Sequence, residues 1–175
     1  MKKLLTALFI ATGLAASAQA LIIGADAGYL LDSEEEYLSA RLGFEFKAQE
    51  ALSHQIELEI GYSQADEAGL SADILPVTLN YRLQAAGTGG FGYYAGLGAG
   101  FARTSIDGAS IFGPVRLRDT SFAAQAFAGV TYQVGPSTTL SLGAKYIWID
   151  DANFAGSTVE VGDDVALQAG FSFKF

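Results

Sequence analysis

Residues 165–175 read VALQAGFSFKF, and their apolar side chains recur at every second position. One face carries Val165, Leu167, Ala169, Phe171, Phe173 and Phe175, and the other carries Ala166, Gln168, Gly170, Ser172 and Lys174. Successive side chains of a strand point to opposite faces. This period of two therefore predicts a β-strand with one apolar and one weakly polar face.

The same alternation recurs along the chain and predicts seven further strands, eight in all. They cover residues 23–31, 38–47, 55–62, 75–83, 91–101, 122–132 and 140–148. Pro76 fits poorly because it cannot donate a hydrogen bond to a ladder, and we expect a bulge near a strand end to accommodate it.

The composition excludes several classes of protein. The chain has 175 residues, half of them hydrophobic, with 21 Gly, no Cys and only 17% charged residues. The lack of Cys excludes a disulfide scaffold and a cysteine-based metal site. A formal net charge of −9 argues against binding nucleic acid, which requires a basic face. The mean hydropathy of +0.28 is typical of helical membrane proteins. Beyond residue 20, however, no apolar run is long enough for a spanning helix.

The first twenty residues have the features of a signal peptide. Lys2 and Lys3 precede a short apolar run at residues 4–16, and a small-residue motif ends at Ala20. A retained N-terminal anchor is the alternative. We predict cleavage between Ala20 and Leu21, with a signal peptide at 1–20 and a barrel domain at 21–175.

The charged residues within the predicted strands lie almost entirely on the polar face. They are Asp26, Arg41, Glu45, Lys47, Glu57, Glu59, Arg82, Lys145 and Lys174. A soluble barrel would present a richly charged outer surface, whereas this face consists mostly of small, uncharged residues. Nearly balanced charge on one face instead predicts a lumen containing an ion-pair network. Its predicted members are Asp26, Arg41, Glu45, Glu57, Glu59, Arg82 and Lys145.

The apolar face carries aromatic residues at both ends of the strands. One belt comprises Phe44, Phe46, Tyr81, Phe91, Tyr93, Tyr132, Phe173 and Phe175, and the other Tyr29, Tyr62, Phe101, Phe122, Tyr146 and Trp148. Two aromatic belts around an apolar band indicate a transmembrane barrel. The barrel must close, because hydrocarbon cannot satisfy an open strand edge. We therefore predict an all-β, eight-stranded antiparallel up-and-down transmembrane barrel.

The connections predict its orientation. Short turns are expected at residues 49–51, 85–90 and 135–137, and outer loops at 32–36, 64–72, 104–119 and 149–164. Because outer-membrane barrels have short periplasmic turns and longer extracellular loops, both termini should be periplasmic.

Three segments resemble the small eight-stranded outer-membrane barrels of Gram-negative bacteria, the family of the OmpA transmembrane domain and OmpX. They are residues 75–82 (LPVTLNYR), 94–100 (YAGLGAG) and 171–175 (FSFKF). The resemblance implies a location in the outer membrane. It also implies that Phe171, Phe173 and Phe175 form the signal read by the barrel-assembly machinery.

Catalytic and metal-binding candidates are few. Glu57 and Glu59 could act as paired acid and base, but the nearby basic residues favour ion pairing. His54, the one histidine, is expected on the surface at the periplasmic rim. The acidic loops offer Asp150, Asp151, Asp163 and Asp164 as weak candidates for a divalent-cation site. No cofactor is predicted.

The sequence favours a non-enzymatic barrel with a structural role in the envelope or a role in surface interaction. A narrow solute channel and a lipid-modifying enzyme are the alternatives. Expected partners are outer-membrane lipid, lipopolysaccharide and the assembly machinery, with an unidentified surface ligand and a monomeric state. Residues 111–118 form the most apolar predicted loop and are the candidate for contact with partners or lipid phosphates.

Overall fold

The computed structural model describes residues 20–49, 51–67, 70–110, 113–154, 157–159 and 162–175. Its strands are β1 (Ala20–Leu30), β2 (Glu36–Gln49), β3 (Leu52–Glu67), β4 (Leu70–Ala86), β5 (Phe91–Ser110), β6 (Gly113–Gln133), β7 (Thr138–Ile149), β8 (Ala152–Phe154), β9 (Ser157–Val159) and β10 (Gly162–Lys174). The predicted signal peptide lies outside the described residues except for Ala20, which begins β1.

Eight of these strands close into one antiparallel barrel in the order β1-β10-β7-β6-β5-β4-β3-β2. The closing seam pairs β1 with β10 from Ile22↔Lys174 to Leu30↔Ala166. Two backbone hydrogen bonds between Leu21 and Phe175, of 3.2 and 2.9 Å, extend the seam to the end of the strand. The predicted fold class is confirmed.

The barrel has two distinct ends. The turn mouth contains the connections β2–β3, β4–β5 and β6–β7, together with the start of β1 and the end of β10. The loop mouth contains the connections β1–β2, β3–β4, β5–β6 and β7–β10, the last of which includes the small β8–β9 hairpin. The predicted short turns match the connections of the turn mouth, apart from residue 50, which lies outside the described part.

Two of the predicted loops are wrong, because the strands there run further than the alternation indicates. β3 and β4 continue to Glu67↔Leu70, and β5 and β6 to Ser110↔Gly113. Residues 111–118 are the loop predicted to contact partners or lipid phosphates. Residues 113–118 belong to β6, and residues 111 and 112 lie outside the described residues. Beyond the aromatic belts neither face needs to meet hydrocarbon, so backbone pairing persists there without a period of two.

Pro76 lies within β4 and not at a bulge, which corrects the expectation from sequence. The ladder with β3 has the same register on both sides, at Ile60↔Val77 and Ser63↔Ile74, and skips the proline between them. A Cβ at Gly61 would lie 2.9 Å from the proline ring, so this glycine leaves room for the ring inside the barrel.

The apolar and polar faces are arranged as the alternation predicts. Leu97 on the outer wall is 67% exposed, whereas Glu57 and Lys145 inside are 1% exposed. This is the reverse of a water-soluble domain, in which large apolar side chains are buried and charges face solvent. No helix in the described part of the chain is long and apolar enough to cross a membrane.

Candidate functional site

The centre of the lumen holds charged side chains from five strands. We call this cluster the polar plug; its members are Asp26 (β1), Arg41 (β2), Glu57 and Glu59 (β3), Arg82 (β4) and Lys145 (β7). Each is at most 4% exposed. In a narrow barrel the inward side chains of all strands meet near the central axis, so residues far apart in sequence come into contact there.

One half of the polar plug is a chain of four alternating charges. Arg41 forms an ion pair with Asp26, and its Nε also lies 3.7 Å from Glu57 Oε1. The other oxygen of Glu57 lies 3.6 Å from Arg82 Nε. The carboxylate of Glu57 is thus held between two guanidinium groups, and the chain links β1, β2, β3 and β4.

Glu59 is the centre of the other half. Its carboxylate accepts hydrogen bonds from Lys145 Nζ, from Tyr37 Oη at 3.2 Å, from Asn80 Nδ2 at 2.9 Å and from Gln125 Nε2 at 3.2 Å. Gln125 also donates to Asn80 Oδ1 at 2.8 Å. These contacts cross the lumen from β3 to β6 and β7, and they compensate for removing the carboxylate from water.

Aromatic rings lie over two of the three cations of the polar plug. The Arg82 guanidinium lies 4.2 Å from the centre of the Tyr94 ring and 5.3 Å from that of Phe127. Lys145 Nζ lies 5.1 Å from the centre of the Tyr37 ring. At these distances a desolvated cation is attracted by the ring face, so the rings contribute to fixing the cations as well as filling space.

Glu45 is the one predicted network member that lies outside the polar plug. It sits at the turn mouth, where it pairs with Lys174 and lies 3.5 Å from Gln55 Nε2. The side chain of Lys174 is 44% exposed, so this ion pair is partly in contact with solvent. Lys47 is the remaining charged residue of the predicted lumen face, and its side chain lies outside the described part of the structure.

Above the polar plug, at the loop mouth, the lumen contains a cavity of about 390 Å³. Its wall is largely apolar, and the main contributors are Leu30, Tyr37, Ile74, Ile106, Ile147 and Ile149. Four acidic residues also line it, Asp32, Glu35, Asp163 and Asp164, although the Asp163 carboxylate is turned to the outer wall, where it accepts the hydrogen bond of Tyr146 Oη. We call this feature the mouth cavity.

Sequence reasoning missed the mouth cavity because it assigned small or polar residues to the whole inner face. A signal was nevertheless present, since both faces become apolar at the loop end of several strands. On β7, for example, inward Ile147 and Ile149 flank outward Trp148. A segment that is apolar on both faces predicts burial on both sides.

The structure does not bring the four candidate metal ligands together. Asp164 accepts hydrogen bonds from Ser33, Asp163 accepts one from Tyr146 Oη, and Asp150 accepts one from the neighbouring Asp151 amide. Within the described ranges, no three His, Cys, Asp or Glu side chains are grouped so that they could hold a metal ion.

Asp164 instead holds the β1–β2 connection. Its Oδ1 accepts from the amides of Asp32 at 3.0 Å and Val165 at 2.6 Å, and its Oδ2 accepts from the Ser33 amide at 3.0 Å and hydroxyl at 2.7 Å. Partial burial by itself raises the pKa of this carboxyl group. The hydrogen bonds outweigh that effect, and the net pKa lies below its ordinary value of 3.8.

A pKa lowered in the folded state means that ionised Asp164 stabilises the connection above its unfolded-state pKa. This contribution is lost as the pH falls through the folded-state pKa. In an NMR titration of the refolded barrel, we expect the Ser33 amide resonance to shift with a midpoint below 3.8. In Asp164→Asn, the same resonance should lose this transition. A midpoint above 3.8 in the parent protein would contradict the assignment.

The remaining candidates lie on the outer wall. His54 is near the turn mouth on β3, and its Nδ1 contacts the hydroxyl of Tyr81. Phe171 and Phe173 face outward along β10, 45% and 42% exposed, and Phe175 follows the strand. Their outward position leaves these three aromatic side chains accessible to lipid or to another protein.

Solved structures share this fold at low sequence identity. Neisserial surface protein A matches with a TM-score of 0.57 and 15% identity, over 89% of this chain and 96% of that one. Ail of Yersinia pestis, solved in complex with the heparin analogue sucrose octasulfate, matches with a TM-score of 0.55 and 17% identity, over 89% and 97%. The outer-membrane enzyme PagL matches with a TM-score of 0.50 and 11% identity, over 87% and 98%.

A search of curated proteins finds no match to this chain. The family model for the outer membrane protein beta-barrel domain, in contrast, matches residues 6–175 and so covers all the barrel strands. The closed eight-stranded barrel, with its apolar wall and polar interior, agrees with this match. The chain therefore belongs to the outer membrane protein beta-barrel domain family.

Proposed function

We propose that this protein is a non-enzymatic outer-membrane barrel that acts through its loop mouth, in envelope structure or surface interaction, and does not pass solutes. The observation that carries the proposal is the polar plug. The pair of Lys145 and Glu59 joins strands on opposite sides of the lumen, the other pairs join neighbouring strands, and each charged side chain of the plug has a partner of opposite sign. Moving any one of them aside would leave a buried charge unpaired, which is costly.

The proposed orientation puts the turn mouth and both termini in the periplasm and the loop mouth outside the cell. The long β5–β6 hairpin supports it, because outer-membrane barrels carry their longer connections on the extracellular side. In this orientation, residues 1–20 are an export signal, and outer-membrane lipid and lipopolysaccharide surround the wall. The outward Phe171, Phe173 and Phe175 are available to the assembly machinery, and the barrel is a monomer.

The charge of the loop mouth distinguishes this barrel from one that recognises polyanions. Ail was solved with a polysulfated heparin analogue. Here the acidic residues Asp32, Glu35 and Asp164 line the mouth cavity, and a polyanion would be repelled by them. Any surface ligand taken at this mouth is therefore expected to be neutral or cationic.

Single-channel recording in planar bilayers tests the proposal. We expect the wild-type barrel to give no steady conductance steps, because the polar plug closes the lumen. The control is Arg41→Ser/Glu57→Ser/Arg82→Ser, which removes three long side chains of the plug and should conduct. Heat-modifiable migration on SDS gels checks that both proteins are folded. Steady wild-type openings of nanosiemens scale would overturn the proposal and favour the narrow channel.

A further inference from the structure

We propose that the mouth cavity binds an amphipathic amine, with an alkyl chain against the apolar wall and a protonated amino group among the carboxylates. This inference deepens the proposed function, on which it rests, by naming the class of ligand taken at the loop mouth. A volume of about 390 Å³ lies within the range of about 300–1,000 Å³ that is usual for small-molecule sites.

The wall of the mouth cavity favours an apolar group. Ile147 and Ile149 are 7% and 6% exposed and form a buried cluster with Leu30 and Tyr37. They lie above the polar plug, so the cavity has a polar floor and an apolar wall. An alkyl chain placed there removes apolar surface from water on both sides of the contact.

The charge of the lining selects a cation. Asp32, Glu35 and Asp164 are acidic, and the described lining residues include no Lys, Arg or His. The Asp164 carboxylate is ionised at neutral pH, and hydrogen bonds from Asp32 and Ser33 lower its pKa further and hold it in place. Negative groups in a concave site with low-dielectric walls attract a cationic ligand and repel an anionic one.

A buried hydroxyl group supplies an independent sign of a ligand site. Thr104 lines the mouth cavity and is 5% exposed, and its Oγ1 has no hydrogen-bond partner within the described part of the protein. A buried polar group without a partner costs free energy. An N–H of a primary amine could donate a hydrogen bond to this oxygen.

The experiment uses octylamine as the probe and the refolded barrel in zwitterionic nanodiscs, with ¹³C-labelled isoleucine methyl groups. We expect saturable shifts of the Ile74, Ile147 and Ile149 methyl signals. Octanoate, with the same chain and the opposite charge, should bind at least about tenfold more weakly because the carboxylates repel it. Outward-facing Ile60 should shift only in proportion to octylamine dissolved in the lipid.

Variants separate the parts of the site. Ile147→Ala should weaken octylamine binding severalfold, whereas the matched change Ile60→Ala on the outer wall should leave it unchanged. Asp32→Asn should reduce the preference for octylamine over octanoate, and Thr104→Val should weaken octylamine binding.

Two results would overturn the inference: no saturable shift in the cavity methyl groups, or equal binding of octylamine and octanoate. A non-conducting barrel that binds no octylamine would refute the inference alone. A conducting wild-type barrel would refute the proposed function, whatever the cavity binds.

Discussion

Replacing Lys145 with Met should lower the free energy of unfolding by about 3–5 kcal/mol, because it leaves the Glu59 carboxylate buried without its cationic partner. Lys145 is 1% exposed and Glu59 is 4% exposed, so solvent cannot take the place of the lost charge. The hydrogen bonds that Asn80 and Gln125 donate to Glu59 remain, but they carry no net charge. Reversible urea unfolding of the barrel in lipid vesicles measures the change.

The double variant Glu59→Gln/Lys145→Met is the control for this prediction. It removes both charges, so we expect it to recover most of the stability lost in Lys145→Met. Single and double variants together form a cycle that isolates the interaction between the two side chains. A loss below about 1 kcal/mol in Lys145→Met, the range of exposed ion pairs, would show that this pair is not buried in an apolar environment.

The sequence predicts where each member of this pair faces, but not that the two meet. Period-two alternation places Glu59 and Lys145 on the same inner face, because the face of a strand depends only on position along it. Their contact depends on the diameter and stagger of the closed barrel, which set which inward residues are opposite. The sequence therefore predicts a network of charges inside, but not that Glu59 of β3 meets Lys145 of β7 across the lumen.

The mouth cavity was not predicted from the sequence, for a related reason. Leu30, Ile74 and Ile147 belong to strands whose alternation fades near the loop mouth, and each is unremarkable in its own segment. Only closure of the barrel gathers them around one space. The extension of β5 and β6 at the loop mouth was likewise not predicted. Strands outside the membrane need backbone pairing but no apolar face, so the extension shows no period-two alternation.

The apolar wall was the most predictable feature, and replacing Leu97 with Arg tests what surrounds it. Leu97 lies midway between Tyr93 and Phe101 on the outer face of β5. The segment from Tyr93 to Phe101 extends about 27 Å at about 3.4 Å per residue. A tilt of about 35–45° reduces this to about 20 Å along the membrane normal, close to the apolar band of about 25 Å.

Leu97→Arg should therefore lower the free energy of unfolding in vesicles by about 2–4 kcal/mol, the cost of a cation at the bilayer midplane. The matched control is Leu31→Arg at the loop mouth, where we expect a loss of about 0–1 kcal/mol because the guanidinium reaches the interface. On a wall that faced water, both substitutions would change stability by no more than about 0.5 kcal/mol. Equal small losses at the two positions would thus contradict a membrane-embedded wall, whereas a loss that depends on depth requires hydrocarbon around Leu97.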